Sequence, residues 1–170
     1  MKKLYIYLSA AVIAVFMFPV LAFSAPGAPI VHAEKPPIVL AAASSRVFVF
    51  DPRRLRWYAY ENGRLVKSGK ASGGAGYCKD VKRACRTPRG TFTVSHKGGA
   101  NCRSSRYPLG KGGARMDYCI FFSKYYAIHG SSNVPNYNAS HGCIRVLPSA
   151  AKWLNRSFLV PGSKVIVKPY

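Results

Sequence analysis

The chain has 170 residues, 26 of them basic and five acidic, for a net charge of +21. That length suggests a single domain. A surface this basic seeks polyanions, and the export signal described next sets aside nucleic acid, the usual partner of such a chain inside a cell.

Lys2 and Lys3 precede an apolar run over 4–23 that only Ser9 interrupts, with Pro19 inside it. Small-residue cleavage sites follow at Ala22-Phe23-Ser24 and Val31-His32-Ala33. This pattern predicts a signal peptide over 1–33, cleaved near 24 or 33. The rival is a retained anchor, since about 20 apolar residues can span a bilayer. Residues 34–45, rich in Ala and Pro, read as a linker. The folded domain is expected over 46–170, and roughly 125 residues are enough for one real core. Outside the cytoplasm the available polyanions are anionic wall polymers, lipid head groups and lipopolysaccharide of an outer membrane.

The domain reads as mainly β. Arg46-Val47-Phe48-Val49-Phe50 is β-branched and aromatic, and predicts a strand. Asp51-Pro52 turns the chain into a second strand over 55–60, and Asn62-Gly63 marks a hairpin before Leu65-Val66. Further strands are expected over 91–94, 118–122 and 125–128, and after Pro161-Gly162 over 165–167. One helix is expected over 148–158, where Ala150, Trp153, Leu154 and Phe158 recur at helical spacing and should be buried. The fold class is thus a mixed sheet, sandwich- or barrel-like, with one short C-terminal helix.

Two stretches, 69–86 and 96–117, read as long glycine-containing loops, which are uncommon unless functional or cross-linked. Neither carries the lysine and hydroxyl spacing of a phosphate-binding loop. Five cysteines stand at 78, 85, 102, 119 and 143. In an exported chain an odd number predicts disulfides plus one free thiol. Cys78, Cys85, Cys102 and Cys119 allow three pairings, and pairing neighbours is one of them. No zinc-site spacing is present and the compartment favours oxidation, so no metal is expected.

The odd thiol is then the residue to explain. A cysteine attacks as thiolate and needs a base or a positive environment. His129 ends the apolar run Tyr125-Tyr126-Ala127-Ile128. A polar loop then leads to Ser140-His141-Gly142-Cys143. The glycine permits a tight turn, which makes the N–H groups of His141, Gly142 and Cys143 candidates for holding an oxyanion. The arrangement predicts acyl transfer through Cys143.

On Ile128-His129-Gly130 and Ser140-His141-Gly142-Cys143-Ile144-Arg145-Val146, together with Thr87-Pro88-Arg89-Gly90 and the closing 161–167 segment, the chain resembles the L,D-transpeptidase catalytic domain of YkuD type. The resemblance covers about 46–168. It implies Cys143 as nucleophile and His129 as its base, with the Gly130 carbonyl orienting the imidazole in place of an acid. Asp117 is the nearest carboxylate available for that role. The resemblance further implies that His141 and Gly142 shape the oxyanion site, and that Ser140 and Arg145 contact substrate, Arg145 through a carboxylate. The implied substrate is a peptidoglycan stem peptide, which with the export signal implies a bacterial protein of the periplasm or cell wall, and no cofactor is required. The implied reaction is thioester formation with loss of D-alanine, then transfer to an amine. Hydrolysis by the same pair (an L,D-carboxypeptidase) and an inactive cationic wall-binding protein are the alternatives. The 96–117 segment occupies the place of a lid, which a Cys102–Cys119 bridge would stiffen.

Overall fold

A computed structural model describes residues 45–170. The expected signal peptide and nearly all of the linker lie outside the described residues. Nine strands form one continuous sheet: β1 (Arg46–Asp51), β2 (Arg56–Glu61), β3 (Arg64–Ser72), β4 (Gly90–Thr93), β5 (His96–Lys97), β6 (Asp117–Ser123), β7 (Tyr126–Gly130), β8 (Ile144–Val146) and β9 (Lys164–Val167). Their order is β4-β9-β1-β2-β3-β8-β7-β6-β5. Two neighbouring pairs are parallel, β1 with β9 and β7 with β8. The other six are antiparallel.

β3 joins the two halves. It pairs with β2 from Arg64 to Lys70, and then with β8 at Ala71 and Ser72. Beyond that handover the sheet curls back on itself. Phe92 of β4 and Phe122 of β6, near opposite ends of the strand order, meet edge to face at 5.5 Å. Phe48, Phe50, Trp57, Ile128, Ile144, Val146 and Val165 fill the enclosed core. Withdrawing side chains of this size from water stabilises the fold by about 2 kcal/mol each.

The Asn62-Gly63 turn forms as expected, with Asn62 at φ 50° and Gly63 at φ 79°. β3 runs further than its sequence suggests, because its second half, Lys67-Ser68-Gly69-Lys70-Ala71-Ser72, carries no apolar alternation. Packing explains Gly69, since a Cβ there would lie 2.8 Å from the Trp57 indole nitrogen. β5 and β8 were not expected either. Each is too short to carry a period-two signal.

The expected helix is two segments. α1 (Pro148–Trp153) is regular, and Leu154–Phe158 continues it as a wider π-helical turn. Lys97 Nζ reaches the carbonyls of Asn155 (2.6 Å) and Leu159 (2.9 Å). The buried Asn155 amide donates to the Gly98 and Cys119 carbonyls. These contacts draw the last turn toward β5 and β6, as fits the widened geometry. Ala151 is fully buried, whereas Ala150 and Trp153 pack against the core while partly exposed. Trp153 stacks on Phe158 at 4.9 Å. Among the described residues no helix is long and apolar enough to cross a membrane.

Candidate active site

The parallel pairing of β7 and β8 builds the site. In its register Ile128 lies beside Ile144 and His129 beside Arg145. Side chains alternate along a strand. Ile128, Ile144 and Val146 therefore enter the core, and His129, Arg145 and the preceding Cys143 share the opposite face. All three line one cavity of about 290 Å³.

Cys143 is the one free cysteine among the described residues, and it packs partly buried against the cluster of Met116, Cys119 and Ala127. Burial on this apolar floor pushes its thiol pKa up, against the Ala127 N–H and the Arg145 charge, which favour thiolate. His129 is 7% exposed, and its Nδ1 lies 3.0 Å from the Gly130 carbonyl. A carbonyl only accepts, so Nδ1 carries the proton and Nε2 is left as the basic nitrogen. Burial lowers the His129 pKa, and the Arg145 charge lowers it further, opposed by the Gly130 hydrogen bond and Asp117. Thiol and imidazole are thus both held neutral near pH 7. Asp117 makes no hydrogen bond to the ring. Its carboxylate is engaged by Arg115 at 2.8 and 3.2 Å, which holds its pKa below the usual range.

The Ser140–Cys143 turn is pinned from several sides. Ser140 exchanges backbone hydrogen bonds with the neighbouring chain, its N–H donating to Gly73 O and its carbonyl accepting from Ala75 N. That chain is placed by buried Thr87, whose Oγ1 accepts from Gly74 N at 3.0 Å. The Ser140 hydroxyl donates to Cys143 O and accepts from Gly142 N. Ser140 therefore lines the cavity with its hydroxyl engaged inside the turn. The Gly142 N–H, expected to face an oxyanion, donates instead to that hydroxyl at 3.0 Å. Among the described residues, no acceptor engages the N–H groups of His141 and Cys143. Gly142 also lies under the Tyr126 ring, where a Cβ would approach Cε1 to 2.3 Å.

His141 is held from both sides. Its Nε2 meets Asp80 Oδ2 at 2.7 Å, and its ring stacks on Tyr107 at 4.2 Å. Asp80 belongs to the loop closed by Cys78–Cys85, and Tyr107 to the segment closed by Cys102–Cys119. Of the three pairings open from sequence, the structure has the neighbour pairing. The 102–119 segment overhangs the cavity with Arg103, Arg106, Tyr107, Arg115 and Met116. Cys78, Asp80 and His141 lie close together, but the Cys78 sulfur is bonded to Cys85, so the group does not fit a metal. Asp80, Tyr107 and Tyr126 were not expected at the site. Only the scarcity of acids in the chain marks Asp80 as a residue whose place matters.

A family model described as the L,D-transpeptidase catalytic domain, YkuD, matches residues 44–167. No curated protein matches the chain. Among solved structures, an L,D-transpeptidase from Xylanimonas cellulosilytica is 33% identical, covering 75% of this chain and 62% of that one, with a TM-score of 0.63. One from Mycobacterium smegmatis is 21% identical, over 74% of this chain and 59% of that one, with a TM-score of 0.60. One from Stackebrandtia nassauensis is 22% identical, over 75% and 57%, also at 0.60. The last two likenesses speak for the fold alone, and the chain spans about three-fifths of the length of all three. With most of its length matched and the curled mixed sheet in common, the chain belongs to the YkuD family of L,D-transpeptidase catalytic domains.

Proposed function

We propose that the protein is a peptidoglycan L,D-transpeptidase of the bacterial envelope that works through a thioester on Cys143. The observation that carries this is the pairing of a free thiol with a histidine whose Nδ1 is committed to Gly130 O, both on one face of β7 and β8 in one cavity. Cys143 passes its proton to His129 Nε2 as its sulfur attacks the carbonyl carbon at the L-centre of the third stem residue. The His141 and Cys143 N–H groups hold the oxyanion. The bond to the terminal D-alanine nitrogen then breaks, and His129 delivers its proton to that leaving amine. An amine of a second stem attacks the thioester, His129 takes the amine proton, and the thiol is regenerated as the new amide forms. Arg145, half-buried beside His129, offers its planar fork to a substrate carboxylate.

Mass spectrometry of products from disaccharide-tetrapeptide, beside a Cys143→Ala control, tests the reading. The expected product is a dimer lacking one D-alanine, absent from the control. Monomeric tripeptide alone would make the enzyme an L,D-carboxypeptidase. Unchanged substrate, with the protein folded and Cys143 reduced, would sink the proposal.

A further inference from the structure

The cavity that holds Cys143 is lined by five arginines, Arg83, Arg103, Arg106, Arg115 and Arg145, and by no lysine. Lysine and arginine are equally numerous in the chain, so the selection of arginine at this one place is local. The side-chain carboxylates of the described residues are all engaged. Glu61 holds Arg46, Asp51 holds Lys168, Asp80 holds His141, and Asp117 holds Arg115. Four of the five cavity arginines therefore face it with no carboxylate partner among the described residues. Arg106 lies over the Tyr125 ring at 5.1 Å, and Arg103 gives one N–H to Gly113 O at 2.9 Å, so each keeps most of its donors unspent. Gathering like charges around a concavity costs repulsion unless a ligand brings the opposite sign. The planar fork of arginine binds a carboxylate through two parallel hydrogen bonds, which the point charge of lysine does not.

We infer that this cavity selects stem peptides carrying several free carboxylates at once, and discriminates against stems in which those carboxylates are amides. Arg145, on the rigid strand β8, takes one carboxylate near the reacting carbonyl. Arg103 and Arg106, on the segment closed by Cys102–Cys119, and Arg83, inside the Cys78–Cys85 loop, read the others. The inference rests on the transpeptidase reading for the identity of the peptide. The guanidinium cluster itself requires only a ligand with several carboxylates.

Two tetrapeptide stems of one skeleton test it, one with its side carboxylates free and one with them as carboxamides. Acylation of Cys143 is followed by intact-protein mass, and equilibrium binding to Cys143→Ala by calorimetry. The free-carboxylate stem is expected to acylate faster and bind tighter by about tenfold at low salt, as suits two exposed ion pairs. The ratio should shrink at high salt. It should collapse in Arg103→Gln/Arg106→Gln and persist in Arg103→Lys/Arg106→Lys at reduced size. Equal rates and affinities, or a preference for the amidated stem, overturn the inference. Tighter binding of the free-carboxylate stem without acylation of the wild-type protein would uphold carboxylate selection while removing the transpeptidase reading.

Discussion

Gly142 carries two separate demands. Its φ of +124° belongs to glycine, and the Tyr126 ring occupies the space of a side chain. Gly142→Ala is expected to cost about 1 to 3 kcal/mol in backbone strain alone and to displace the Cys143 N–H. A lower urea midpoint together with loss of Cys143 acylation checks this. Adding Tyr126→Ala should recover only part of the loss, because the ring can be removed and the φ cannot. His129 makes a second prediction at this scale. Its folded pKa lies below its unfolded value, chiefly through burial, so as pH falls the unfolded chain takes the proton first. The stability it contributes is full above about 6.5 and is lost as pH drops through that value toward the folded one. The acid limb of kcat/KM should fall below the ordinary histidine value for the same reason. Arg145→Gln removes a charge that opposes protonation, so that limb should move to higher pH. A limb that stays put would mean that Arg145 exerts no field on the ring. The motif residues were legible in the sequence because Cys143 is the odd cysteine and the histidines stand close to it. Asp80 and Tyr126 were not legible, since nothing local announces that a distant acid will meet His141 or that a strand tyrosine will cover a glycine.

At the scale of elements, the strands with strong alternation or a turn residue beside them were foreseen, β1, β2, β7 and β9 among them. What escaped was whatever tertiary packing decides. The second half of β3 is polar and stays a strand because it has ladder partners on both sides of the handover, β2 up to Lys70 and β8 at Ala71 and Ser72. β8 exists because β7 offers it a ladder. The 96–117 segment, expected as a lid, contributes residues to the cavity lining and is tied to β6 by Cys102–Cys119. Cys102–Cys119 closes a sequence separation of 17, and removing such a link typically costs about 3 kcal/mol of unfolded-state constraint. Cys102→Ala/Cys119→Ala should therefore lower the unfolding free energy by about that amount. It should also raise KM more than it lowers kcat, since Tyr107 and the arginines lose their anchor while β7 and β8, which carry His129 and Cys143, stay paired and Cys143 loses only the Cys119 sulfur from its floor. Denaturant titration and steady-state kinetics on the same preparation measure both. If kcat falls and KM holds, the segment serves the chemistry instead of binding.

The whole molecule is a cation of +21, with the acids of its described residues already paired. Such a particle is drawn to a polyanionic matrix over a range set by the Debye length, about 10 Å at 0.1 M salt. Retention on isolated peptidoglycan sacculi should fall steeply as salt rises, and pelleting assays across a salt series would register it. Retention indifferent to salt would place wall attachment in specific contacts. The charge was plain in the sequence from the outset. Its concentration as arginine around one cavity was not, because Arg83, Arg106 and Arg145 come from three separate segments that only the fold brings together.

The pairing of β1 with β9 has a further consequence. The first and last described strands of the domain lie side by side, and among the described residues β9 alone joins β4 to the rest of the sheet. A domain emerging from its N-terminal side has β1 first but must wait for β9, its last strand, before the sheet can close on that side. Such closure is slow, since the entropy of bringing distant segments together is lost before their pairing can offset it. Until then β1 and β4 stand as open edges, the feature that invites pairing with other chains. Deleting Lys164–Val167 would remove only four residues, yet it would leave a domain whose sheet cannot close.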